Sequence, residues 1–355
     1  MRRLVGIVLA AMLVLNGLWL ASDAAAKERK IRVMASSTDM IAIAKEIAGE
    51  DRVDGYSPFA GFQEPELWVE EVFPSWLLKA SKADLYVRIG LAADIWADVV
   101  VEASRNPRIF RGAPGHVDAS EGISVIEVPT WKVDRSAGEI HIMGNPHYLL
   151  DPLNAKIVAR NILAGLIRVF PEEGETFTAN ERDFERRIDE AMPRWMKAAE
   201  PLRGLKMASY HKTWSYLALR FGIDVVGQCE PKPGIEPSPE DIRSLIARMR
   251  EQGGKIVIRA PVYSGRVPEL VARETGAVSI VVPAHVGGAP GVHTYFEFID
   301  EVIRVLNEAQ LEYDRGKAVA APLEELDELE REGEDRGDDV DRGDGEEDEG
   351  ERDED

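Results

Sequence analysis

Between residues 30 and 318, short apolar runs rich in β-branched residues alternate with longer stretches whose apolar positions recur at helical spacing. Residues 31–35 (IRVMA) read as a first strand, and polar Ser36-Ser37-Thr38-Asp39 leads into an amphipathic helix through MIAIAKEIAG. Residues 85–89 (LYVRI) predict a strand, 91–103 a helix and 123–128 another strand. After Asp151-Pro152, the spacing of Leu153, Ile157, Ile162, Leu166 and Ile167 marks a helix with one apolar face, Asp151 at its cap and proline at its first position. The stretch 171–199 is charged and helical with few apolar positions, which suits a bridge between two lobes better than the inside of either.

The alternation then restarts. Residues 205–209, 223–228, 255–259 and 277–282 predict strands, and 212–221, 267–275 and 295–309 predict helices. Ser238-Pro239-Glu240-Asp241 reads as a capping box opening a further helix to residue 249. Alternating strands and helices predict an α/β fold: two similar α/β lobes with mostly parallel sheets, joined by one long rigid helix, with a ligand cleft between them where strand C-termini converge. The expected boundaries are 27–170 for the first lobe, 171–203 for the linking helix and 204–318 for the second lobe.

The two ends read differently. Residues 1–26 open with Met1-Arg2-Arg3, continue as an apolar run and finish in Ala24-Ala25-Ala26, the pattern of a secretory signal cleaved near Ala26. The chain carries a net charge of −21, but residues 324–355 hold 20 acidic and 4 basic residues, leaving only −5 for everything before them. Residues 319–355 are therefore expected to be a disordered acidic tail. No basic face is present to neutralise phosphates, so nucleic acid is not an expected partner. Cys229 is the only cysteine, which excludes an internal disulfide and a thiolate cage and leaves any metal to histidine and carboxylate.

Six histidines carry the candidate chemistry. His211 follows the predicted strand LKMASY, His285 follows SIVVPA, and His147 lies in GNPHYLLDP ahead of the helix capped by Asp151. Imidazoles at such loop positions can converge on zinc or a related cation. His116 and His293 read as surface residues. No G-x-S-x-G elbow, G-x-G-x-x-G or P-loop is present, so nucleophilic or nucleotide chemistry has no motif to rest on. One rival is a metallo-hydrolase with Glu66 or Glu230 as base. Another is an adhesin or scaffold whose site is vestigial.

Four separated segments together resemble one family, the periplasmic metal-binding receptors of zinc and manganese ABC importers: GNPHYLLDP with NAKIVARNI, YHKTWSYLALRFGIDVVG, EPKPGIEPSP, and VARETGA followed by VGGAPGVHTYFEFID. The resemblance implies two α/β lobes joined by a rigid helix, with the metal held between them by three histidines and one carboxylate. It places the second histidine on His147 and the third on His211, and a histidine at the third position, where manganese-type members can carry glutamate, leans toward zinc, with altered choice of manganese, iron or copper as the alternative. At the first position, Gly61-Phe62-Gln63-Glu64-Pro65-Glu66 puts Glu66 where histidine is usual, while counting back from Pro74 puts Trp68 there. At the fourth, Pro283-Ala284-His285 replaces the usual aspartate, with His285 as its substitute, and His141 is an auxiliary or entry ligand. The implied function is a non-enzymatic, monomeric periplasmic receptor carrying Zn2+, or Mn2+ or another divalent metal, to a membrane permease and its ATPase.

Overall fold

The computed structural model describes residues 29–66, 72–130, 141–231 and 234–316. The expected signal segment, the acidic tail and Trp68 lie outside the described residues. Contacts divide the chain into two units. The first takes residues up to Ser124, then Pro152–Met192 and His285–Glu297, and the second takes Val125–Asp151, Pro193–Ala284 and the chain from Phe298 on.

The first unit is built on four parallel strands, β1 (Ile31–Ala35), β2 (Val53–Tyr56), β3 (Leu85–Arg88) and β4 (His116–Asp118), in the order β2-β1-β3-β4. Val33 pairs with Leu85 and Val87 with Val117. Ile31, Val33, Leu85 and Val87 are almost wholly buried, as expected of parallel strands covered on both faces. Helices α1 (Thr38–Ala48), α2 (Pro74–Lys82), α3 (Trp96–Ala103) and α4 (Pro152–Val169) supply the cover. Trp76 of α2 and Ala97 and Val100 of α3 pack with Met34 and Tyr86, whereas α4 passes so close to Leu85 and Val117 that Gly165 has no room for a side chain.

The second unit repeats the plan. Strands β5 (Lys206–Ser209), β6 (Asp224–Gln228), β7 (Ile256–Arg259) and β8 (Val278–Val281) are again all parallel, in the equivalent order β6-β5-β7-β8. Following the long helix α5 (Gly174–Ala198), this unit contains α6 (Ser215–Phe221), α7 (Pro239–Gln252), α8 (Arg266–Thr275) and most of α9 (Tyr295–Asp314). Ile242, Leu245 and Met249 of α7 join Leu270 and Val271 of α8 over Ala208 and Val257. The box at Ser238 is present, its hydroxyl accepting from the Asp241 amide while the Asp241 carboxylate accepts from the Ser238 amide. Helix α5 runs for 25 residues with Pro193 inside it, and the division between units falls at that proline, which cannot donate to the helix ladder.

Three expectations need correction. Residues 123–128 form no strand, and Glu127 takes a φ of 55°, outside the extended region. The edge position belongs instead to the three residues of β4. The helix expected from residue 91 starts at Trp96, because Leu91 and Ala92 have φ values of 52° and 62°, where a right-handed helix cannot run. His116 is half-buried and not a fully exposed residue: it lies in β4, its Nδ1 is 2.9 Å from the Ile109 carbonyl, and burial lowers its pKa. Among the described residues no helix is long and apolar enough to cross a membrane.

Candidate metal centre

His211 leaves the sheet just past β5, where Cys229 N–H donates to Ser209 O (2.7 Å) and Glu230 N–H to Tyr210 O (2.9 Å). These bonds prolong the β5–β6 pairing and bring the Glu230 carboxylate beside the His211 ring. The His211 Nδ1–H donates to Glu230 Oε2 at 2.7 Å, and Glu230 Oε1 accepts from the Gly234 amide at 3.0 Å. Because an ionised carboxylate only accepts, this bond places the His211 proton on Nδ1 and leaves Nε2 as the nitrogen that can offer a lone pair. Tyr263 stacks on the ring at 6.0 Å between centroids, and His211 is only 3 % exposed.

His147 reaches the same place through a different device. Asn145, fully buried, donates from Nδ2 to the Lys212 carbonyl at 2.9 Å, which fixes its amide so that Oδ1 must be an acceptor. That oxygen receives both the backbone N–H (2.9 Å) and the ring Nδ1–H (3.0 Å) of His147. The Asn145 carbonyl accepts from the Tyr216 hydroxyl at 3.1 Å, tying the loop to α6. His147 is therefore also held with Nε2 as its donor atom. Gly144, at φ 95°, makes the turn that precedes it: its amide donates to the His141 carbonyl at 2.9 Å, and a side chain there would run into Val125 and Ile126.

That turn carries His141 back to the other two. Its Nε2 lies 3.3 Å from His211 Nε2, and the three ring centroids are 5.5 to 5.7 Å apart. Ligand-capable nitrogens of His141, His147 and His211 lie within 4.8 Å of one another. Nitrogens bound to a tetrahedral zinc at its usual distances stand about 3.3 Å apart, so the His141–His211 separation is that of one edge of such a polyhedron. All three residues belong to the second unit.

The remaining sequence candidates sit in the first unit. His285 has both ring nitrogens engaged by carboxylates, Nδ1 with Asp39 at 2.5 Å and Nε2 with Glu64 at 3.1 Å. Burial alone would lower its pKa, but Asp39 and then Glu64 raise it well above the ordinary imidazole value. With both ring nitrogens engaged by carboxylates, His285 is turned toward Asp39 and Glu64, the partners that the expectation of a fourth ligand did not foresee. Glu66 lies at the end of a turn-rich segment whose preceding carbonyl, that of Pro65, accepts from Trp96 Nε1 at 2.8 Å. His293 is exposed, as expected.

Sequence reasoning gave Asn145 no role and considered Glu230 only as a catalytic base. The signal for Asn145 is its place two residues before His147, within reach of both the amide and the ring. No comparable signal exists for Glu230, because its meeting with His211 depends on strand pairing 19 residues apart. Behind the centre, Cys229 is 1 % exposed, and burial together with the neighbouring Glu230 charge pushes its thiol pKa up to about 12.

Comparison with known proteins gives a consistent picture. The profile of the family described as "Zinc-uptake complex component A periplasmic" matches residues 33–309. The high-affinity zinc uptake system protein ZnuA of Bacillus subtilis (strain 168) is 24 % identical over 264 residues, spanning 73 % of this chain and 80 % of that protein. The iron-binding protein YfeA of Yersinia pestis is 24 % identical over 280 residues, covering 78 % and 85 % respectively. Among solved structures, a crystal structure of ZnuA superposes with a TM-score of 0.66 at 21 % identity, over 79 % of this chain and 99 % of that one.

Proposed function

Because the chain belongs to the zinc-uptake complex component A periplasmic family, we propose that it is an extracytoplasmic receptor that captures a divalent transition metal, zinc first, for an ABC importer. The observation that carries this reading is the His141–His147–His211 cluster, in which Asn145 and Glu230 set the tautomers of two rings before any ion arrives. Such partners behind a ligand orient the ring and raise its basicity. In the proposed site the three imidazoles supply the nitrogen ligands, and Glu66, at the position where the family pattern begins its ligand set, supplies the carboxylate. His141 thus moves from auxiliary to principal ligand, and His285 leaves the set.

Three nitrogens and one oxygen suit zinc, and the same set also accepts iron or manganese, so metal choice in the cell follows availability as well as affinity. Capture is ligand exchange, with imidazole and carboxylate replacing water on the ion. Release then falls to the permease and its ATPase, the proposed partners of a monomeric receptor exported on residues 1–26. The hydrolase alternative loses its Glu230 base, since that carboxylate already bonds His211 and Gly234.

Metal analysis of the purified full chain, beside a His147→Ala, His211→Ala double variant, tests the proposal. About one zinc per chain is expected in the parent and none in the variant. Equal metal content in both, or none in either after zinc loading, would sink it.

A further inference from the structure

The geometry points to His285, with Asp39 and Glu64, as a positioning device that fixes the Glu66 segment from within the first unit. The inference rests on the metal-capture reading above and deepens it.

The segment 60–66 has little regular structure of its own, a turn closed by Gln63 N–H to Ala60 O (2.9 Å) and by the Gln63 side chain accepting from the Ala60 amide (2.9 Å). What fixes it lies elsewhere in the unit. Glu64, 1 % exposed, accepts from His285 Nε2, and the opposite nitrogen of the same ring donates to Asp39, 2 % exposed, at the start of α1. Asp39 also accepts from the Val286 amide at 2.7 Å, and Thr38 Oγ1 donates to the Val286 carbonyl at 2.6 Å. Gly61 passes so close to Val286, Gly287 and Gly288 that a β-carbon there would overlap their backbone. Trp96 holds the Pro65 carbonyl on the far side. The chain leading into Glu66 is therefore fastened at Gly61, at Glu64 and at Pro65.

Charge accounts for the choice of histidine. Two buried carboxylates facing each other would repel, and a doubly protonated imidazole between them satisfies both with one residue. An aspartate at position 285 would add a third negative charge.

A positioning role differs from a ligand role in a double-mutant cycle. Zn2+ alone is titrated against a competing chelator into the full chain carrying His285→Ala, Glu64→Gln or Glu66→Ala, and into each of the first two combined with Glu66→Ala. Loss of a group that orients a ligand costs on the order of 10- to 100-fold in affinity. His285→Ala and Glu64→Gln should each show that loss in the parent and no further loss in the Glu66→Ala background. Equal, additive losses in both backgrounds would overturn the inference, as would no loss in the parent. Glu64→Gln is isosteric and carries the test if His285→Ala does not fold. If zinc persists in the His147→Ala, His211→Ala variant, the metal reading itself fails, whereas additive cycles in a protein that needs those histidines reject only the positioning role.

Discussion

His211 comes two residues after β5 and His285 four residues after β8. His211 is buried and His285 partly so, and each gives its Nδ1–H to a carboxylate, Glu230 in the first case and Asp39 in the second. The difference lies at the other nitrogen. His211 Nε2 meets a second imidazole, while His285 Nε2 meets a second carboxylate. One carboxylate partner leaves the other nitrogen of His211 facing a second imidazole; two engage both nitrogens of His285, and Asp39 and Glu64 raise its pKa. Position at the end of a parallel strand, which both share, does not distinguish these uses, and the partner of the second nitrogen does.

The comparison breaks most sharply under alanine. His211→Ala is expected to abolish zinc retention in equilibrium dialysis, whereas His285→Ala keeps one zinc site of reduced affinity. Stoichiometric zinc in the first variant, or none in a folded second variant, would erase the distinction. Glu230→Gln should weaken zinc on the order of 10- to 100-fold without changing stoichiometry, because the amide can present its nitrogen to His211 and disturb the tautomer. Asn145→Ala should fall near the tenfold end of that range, since a neutral acceptor polarises its ring less than a carboxylate does.

The smallest effect is one of pH on the metal-free protein. The folded pKa of His285 is raised, so its stabilisation is complete below the unfolded imidazole value of about 6.5 and is lost as pH rises through the folded value. Melting followed by calorimetry in chelator should therefore fall by a few degrees on the alkaline side, and His285→Gln should flatten that limb. An alkaline limb of equal size in the variant would assign it to other groups.

Much of the fold was legible because buried parallel strands read as continuous apolar runs. IRVMA, LYVRI and β7 (IVIR) declare themselves in this way. The edge strands do not: β2 is Val-Asp-Gly-Tyr and β4 is His-Val-Asp, each too short and polar to show a period. The apolar run at 123–128 misled for the converse reason. Among the described residues no strand pairs with it, and the Ile126 carbonyl accepts from the Asn145 amide instead. Of the clustered histidines, His147 and His211 were singled out from their loops, and His141 was given only an auxiliary part. Hydrogen-bond partners decided the rest, and partners across 246 residues, as between His285 and Asp39, leave no trace in local spacing.

The solitary cysteine turns the second unit into its own clock. Cys229 sits directly behind Glu230 with its thiol protonated and covered. A thiol-specific dye can label it only when the end of β6 swings open, so the labelling rate reports how often the β5–β6 pairing beside His211 comes apart. An ion at the proposed site would close that opening by mass action, slowing the clock in proportion to zinc concentration over its dissociation constant. Occupancy of the cargo site could then be timed in the unmodified protein, with no engineered probe.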